Sequence, residues 1–222
     1  MTRAMMAGSR RAVPPRIARD LAVVCRTFHA RGWALGTSGN FSVVLSRHPL
    51  RVAITASGVS KDQLRTADIL ACADDGRPVR SSRRRPSAET LLHVEVARKR
   101  SAGAVLHTHS VWSTILSDRH AEAGGVEISG YEMLKGLQGV SSHVHREWIP
   151  ILENDQNMVR LAANVASTLD RFPAAHAFLL RKHGMYTWGA TLPDARRHVE
   201  VLEFLFETVG REEGRHGHRE NP

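Results

Sequence analysis

The chain has 222 residues, 42% of them apolar and 24% charged, which fits one large domain with a real core. No run approaches the roughly 18 uncharged apolar residues of a membrane helix, and Met1–Arg11 lacks the apolar segment and cleavage site of a secretory signal. The formal charge of +9 comes with 5% aromatic residues and no zinc-finger spacing, so it reads as attraction for an anionic small substrate or as an arginine-biased surface, with neither nucleic acid nor membrane as partner. Cys25 and Cys72 make no disulfide framework and read as buried thiols in a reducing, cytoplasmic compartment.

Residues 1–15 mix Gly, Ser, Arg and a Pro-Pro pair and read as a mobile arm. From Arg16 to Arg31 the apolar residues Ile17, Leu21, Val24 and Phe28 lie on one face of a helix that Gly32 ends. Thr37-Ser38-Gly39-Asn40 is a turn, and the alternation Phe41, Val43, Leu45 followed by Val52–Thr55 predicts an antiparallel hairpin running into Ser57-Gly58. Both turns set small hydroxyl residues beside glycine, leaving backbone N–H groups open to an anion. Lys61–Ala71 is expected to be a short helix and Asp74–Pro78 a surface turn. Ser87 is the expected N-cap of a helix over Ala88–Arg100, which places Glu89 in the first turn, where the positive helix end favours a carboxylate.

Ala104–His109 reads as a strand, Val111–Leu116 as a helix, and Gly130-Tyr131-Glu132-Met133-Leu134-Lys135-Gly136 as a short helical segment bounded by glycines. Trp148–Ile151 is extended, Asp155–Leu169 helical, and Ala177–Leu180 and Met185–Trp188 are short strands on either side of His183-Gly184. Pro193–Val209 forms the last helix, opening on proline and Asp194, and 211–222 read as a polar tail. No repeat, Rossmann or Walker motif is present, so nucleotide use has no support.

On a strand of period two, His107 and His109 share a face, and the apolar run behind them holds them more rigidly than a loop holds His143/His145 or a terminus holds His216/His218. His183, which follows another apolar run, Ala177–Leu180, and stands directly before glycine, is the best third donor. Three neutral imidazoles leave a divalent ion, most simply zinc, its full charge and an open position, which suits polarising a carbonyl. A proton acceptor is then needed, and Glu89 and Glu132 are the candidates.

The order Gly39-Asn40, Ser57-Gly58, Pro86-Ser87-Ala88-Glu89, His107-Thr108-His109, His183-Gly184 closely resembles the class II aldolase/adducin family over about residues 17–210. The resemblance implies a single-domain α/β/α fold, over 16–210, around a mixed, largely antiparallel central sheet. It also implies a cyclic homotetramer, a small phosphorylated sugar as substrate, and one zinc ion per subunit on His107, His109 and His183. Gly39, Asn40, Ser57, Gly58 and Ser87 match the family's phosphate pocket. Within the family, Gly130–Gly136, Pro150–Gln156 and His198-Val199-Glu200 with Leu202–Phe206 resemble members that dehydrate a keto-sugar phosphate through an enediolate. By that likeness Glu132 is the catalytic acid/base. Glu89 matches the proton-transfer residue of the aldolases and is the second choice. A sugar-phosphate aldolase or epimerase is the alternative; a non-catalytic adducin-like scaffold would lack the three histidines.

Overall fold

The computed structural model describes residues 12–216. The arm expected over 1–15 therefore lies outside the described residues as far as Arg11, and so does the end of the expected tail from Gly217 on.

Helix α1 (Pro15–Ala30) starts on proline, whose fixed φ and missing N–H suit a first helical position, and it buries Leu21, Val24, Cys25 and Phe28 along one face. Strands β1 (Asn40–Arg47) and β2 (Leu50–Thr55) form the expected hairpin. Beyond it the expected helix over Lys61–Ala71 is corrected. Only Thr66–Asp68 makes a 3-10 turn, and Ile69–Ala73 is strand β3, paired antiparallel with β2. The five-residue apolar run gains a row of backbone hydrogen bonds on the sheet edge that a one-turn helix cannot match.

Next come α2 (Thr90–Lys99), β4 (Ala104–Thr108), α3 (Val111–Arg119) and β5 (Gly125–Ile128), the last a four-residue strand. A 3-10 segment, Glu132–Gly136, precedes β6 (Glu147–Leu152), α4 (Met158–Arg171), β7 (Ala177–Leu180), β8 (Gly184–Gly189) and α5 (Leu192–His216). The last helix thus runs past Val209 into the segment read as tail. Gly210, which looks like a helix stop, is a packing site: a Cβ there would come within 2.3 Å of the Trp112 ring.

The eight strands form one sheet in the order β3-β2-β1-β4-β8-β7-β6-β5, antiparallel throughout except for the β6–β7 pair. Side chains alternate between two cores. Ala104 and Leu106 of β4 join the core under α1, α3 and α5, while Val105 joins Phe178, Tyr186 and Trp188 in the core under α2 and α4. Leu161, Val165 and Leu169 of α4 are each fully buried in the latter, worth about 1.5–3 kcal/mol apiece. This is the expected α/β/α sandwich.

Candidate metal centre and active site

Three neighbouring strands build the floor of the site. In the register of the sheet Asn40 of β1 faces His107 of β4, which in turn faces Tyr186 of β8, so the three share one row on one face. Two glycines let the chain close around the end of β4. A Cβ at Gly39, whose φ is +72°, would lie 2.8 Å from the His107 carbonyl, and one at Gly184 would lie 2.1 Å from that of Thr108. The β7–β8 turn is pinned by α3: the Lys182 N–H donates to Ser117 Oγ (3.0 Å), and the Thr114 hydroxyl reaches the His183 carbonyl (3.2 Å).

This turn carries His183 to the His107/His109 pair. The Nε2 atoms stand 2.8 Å (His107–His109), 3.1 Å (His109–His183) and 3.3 Å (His107–His183) apart. His107 Nδ1–H donates to the Met185 carbonyl at 2.9 Å, which leaves its Nε2 as a lone pair facing the other two. Burial, followed by the neighbouring rings, pushes His107 well below the ordinary histidine pKa; burial, His183 and Lys61 lower His109 to about 4; burial lowers His183. Three neutral rings sharing protons can satisfy one another only in pairs, whereas a divalent cation meets all three lone pairs at once. The residues present therefore fit a metal ion.

Glu89 stands beside the triad, with Oε2 3.6 Å from His107 Nε2 and Oε1 3.6 Å from His183 Nε2. It is the N-cap residue of α2, one position outside the first turn where the sequence placed it, and Ser87 takes no capping bond from the helix but accepts from the Glu89 N–H (3.3 Å). A chain of donors runs toward its carboxylate. Ser42 Oγ–H donates to His93 Nδ1 (2.8 Å), His93 Nε2–H to Asn40 Oδ1 (2.5 Å), and the Asn40 amide N–H to Glu89 Oε2 (2.6 Å). Burial drops His93 to about 3, so this ring is neutral and has one proton to give. Tyr186 stacks on His107 with ring centroids 3.9 Å apart, and its hydroxyl lies near enough to Glu89 that the carboxylate, after burial, raises its pKa.

The triad opens on a cavity of about 460 Å³. All five residues expected to bind phosphate, Gly39, Asn40, Ser57, Gly58 and Ser87, line it together with Glu89, His109 and His183. Asn154 and Gln156 of the β6–α4 loop and Met158, the first residue of α4, line it too, and sequence reasoning did not single them out as site residues. They belong to the Pro150–Gln156 stretch and its continuation, and only the contact across the sheet reveals what they face. Glu132 is elsewhere. Its side chain is 72% exposed on the 3-10 segment, bonded to Lys135 (2.5 Å) with His143 3.8 Å away, and the Lys135 ammonium holds its pKa below the usual carboxylate range. It does not line the cavity of its own chain. His198 is buried away from the triad, donating through Nδ1 to the Trp188 carbonyl (2.7 Å) and accepting the Gln138 N–H (3.0 Å) at Nε2.

The family model for the class II aldolase and adducin N-terminal domain matches residues 19–209. The chain belongs to this family. It is 42% identical over 192 residues to the methylthioribulose-1-phosphate dehydratase of Sorangium cellulosum, covering 86% of this chain and 90% of that one. It is 47% identical over 179 residues to the one from Xylella fastidiosa, 80% of each. An L-fuculose 1-phosphate aldolase shares the fold at a TM-score of 0.76, with 22% identity over 93% of this chain and 90% of that one. In this class II aldolase-family chain, the histidines that the sequence singled out are those that converge in space.

Proposed function

We propose that the protein is a zinc-dependent methylthioribulose-1-phosphate dehydratase of methionine salvage. It converts 5-methylthioribulose 1-phosphate into 2,3-diketo-5-methylthiopentyl 1-phosphate and water. It acts in the cytoplasm as a homotetramer with one zinc ion per subunit. The observation that carries this reading is the likeness to relatives of that name over four-fifths or more of both chains, together with three histidine Nε2 atoms converging at the mouth of a polar cavity.

His107, His109 and His183 would hold a divalent ion, which would supply Lewis acidity for the substrate's C2 ketone and so make the C3 proton easier to remove. Glu89 is ready to accept that proton. Its Oε2 is engaged by Asn40 and its Oε1 is not, and the bonds behind Asn40 hold the carboxylate in place beside the triad. Departure of the C4 hydroxyl as water needs a proton donor, and Glu132 is the acid/base favoured by family resemblance. Because Glu132 lies outside the cavity of its own chain, it acts across a subunit boundary, from a neighbouring copy. Loss of the C3 proton and the C4 hydroxyl leaves an enol that tautomerises to the diketone. The phosphate rests on Gly39, Asn40, Ser57, Gly58 and Ser87, and Met158 offers the methylthio group an apolar contact.

The test is incubation with 5-methylthioribulose 1-phosphate, following diketone and any two- or three-carbon fragment. Diketone alone is expected; fragments would assign an aldolase. Glu132→Gln is expected to abolish turnover with zinc still bound, and unchanged turnover eliminates its role. Glu89→Gln should lower kcat about 10²–10⁴-fold.

A further inference from the structure

The cavity that receives a phosphate dianion has no lysine or arginine among its lining residues, and it presents the Glu89 carboxylate. Its cationic help lies one layer behind. Lys61 follows the Ser57-Gly58 turn and is 1% exposed, a lysine among the largest fully buried side chains of the protein. Its ammonium donates to the Thr37 carbonyl (3.0 Å) and the Val59 carbonyl (3.1 Å), tying together the two loops that carry Gly39-Asn40 and Ser57-Gly58. Among the described residues it forms no ion pair. The adjacent carboxylate, Asp62, is turned away, accepting from Ser60 Oγ (2.5 Å) and standing 4.0 Å from His29. The titratable neighbour on α1, Cys25, is a thiol that burial pushes up to about 12, so it is neutral and offers no counter-charge.

A buried ammonium without a carboxylate is costly, and such groups are retained where something pairs with them. Two carbonyl dipoles satisfy two of its three N–H bonds and leave the net charge uncompensated. We infer that Lys61 is a specificity-determining residue for the phosphate: its buried charge, acting through the two loops it ties, is the counter-charge for the substrate's phosphate dianion. Because Lys61 is itself buried, its charge is screened less than one in bulk water, and it favours a phosphorylated sugar over the free sugar. The inference rests on the phosphorylated-substrate reading above and adds a residue to it.

The test uses the full-length, metal-loaded protein and inorganic phosphate as the probe, with binding read by titration calorimetry. Turnover of 5-methylthioribulose 1-phosphate is measured in parallel. The parent is expected to bind phosphate. Lys61→Gln, which keeps a donor for the carbonyls but removes the charge, should weaken phosphate binding and raise KM at least about tenfold. Its kcat should change less than about threefold, with zinc content intact. Lys61→Arg, which keeps the charge, should restore most of the affinity, and this holds the comparison if the glutamine variant folds poorly. Phosphate affinity equal in parent and glutamine variant overturns the inference, as does a parent that binds no phosphate. Phosphate binding that depends on Lys61 in a protein without dehydratase activity would instead overturn the proposed reaction and leave the role of Lys61 standing.

Discussion

Among the described residues, two clusters bring three potential metal ligands within 4.8 Å of one another, and they are built for different ends. In the first, His107, His109 and His183 turn Nε2 atoms toward each other at the mouth of a cavity, with the His107 proton locked on the far side of its ring. In the second, both oxygens of the buried Glu147 carboxylate are already taken. Oε1 accepts the His176 backbone N–H (2.9 Å), and Oε2 accepts from His176 Nδ1 (2.9 Å) and His145 Nε2 (2.8 Å). His176 Nε2–H then donates to the Gln138 carbonyl (2.8 Å), whose own N–H goes to His198. The first cluster brings three Nε2 atoms together, with the His107 lone pair facing the other two, and calls for a cation. The second faces proton against lone pair and is neutralised from within, clamping the segment after Gly136 onto the sheet. Proximity of histidines and carboxylates does not make a metal site; the placement of their protons does.

The largest expected separation comes from truncating one ligand in each cluster. His109→Ala should cost at least about 10³-fold in turnover and lose the bound ion in step, while His176→Ala should leave metal content unchanged; equal metal loss in both would erase the distinction. A smaller effect is expected on stability. Glu147→Gln strips the clamp of its carboxylate and should lower unfolding free energy by about 1–3 kcal/mol in urea titrations, with metal content unaffected.

The smallest effect is one of pH. Burial opposes the charged form of Glu147, but the bonds from His176 outweigh it and its pKa falls below 4.5, so its contribution is present above that value and lost as pH falls through the lowered one. Burial likewise opposes the His176 cation, but Glu147 raises it above 6.5, so its contribution is full below that value and lost as pH rises through the raised one. The clamp therefore stabilises most between about pH 4.5 and 6.5. In the metal-free triad the rings are lowered, His109 to about 4, and stability is lost as pH falls from about 6.5 toward that value. The stability difference between parent and His176→Gln should be widest near pH 5.5 and shrink toward pH 8; a difference flat with pH would refute the clamp.

How far the sequence reached depended on how local the determinants were. His107 and His109 were legible because a strand's period of two puts both on one face, and the apolar runs before them and before His183 predicted strands that the sheet contains. Strand β3 was not, since Ile69-Leu70-Ala71 fits a helix locally and only pairing with β2 makes it extended. Gly210 reads as a stop until Trp112 is seen packed on it. The partnership of Asn40 with Glu89 spans 49 residues, and the burial of Lys61 has no local signature at all. His145 was set aside for lack of an apolar strand behind it, yet it joins Glu147 of β6 in the clamp.

The most direct test of the account is to locate bound metal in crystals of the protein as purified, by anomalous scattering, with the element identified by its absorption edge. One divalent ion per chain, zinc, is expected among His107, His109 and His183, and none between His145, Glu147 and His176. An ion held by Glu147, or fully loaded protein with no density at the three Nε2 atoms, would contradict it.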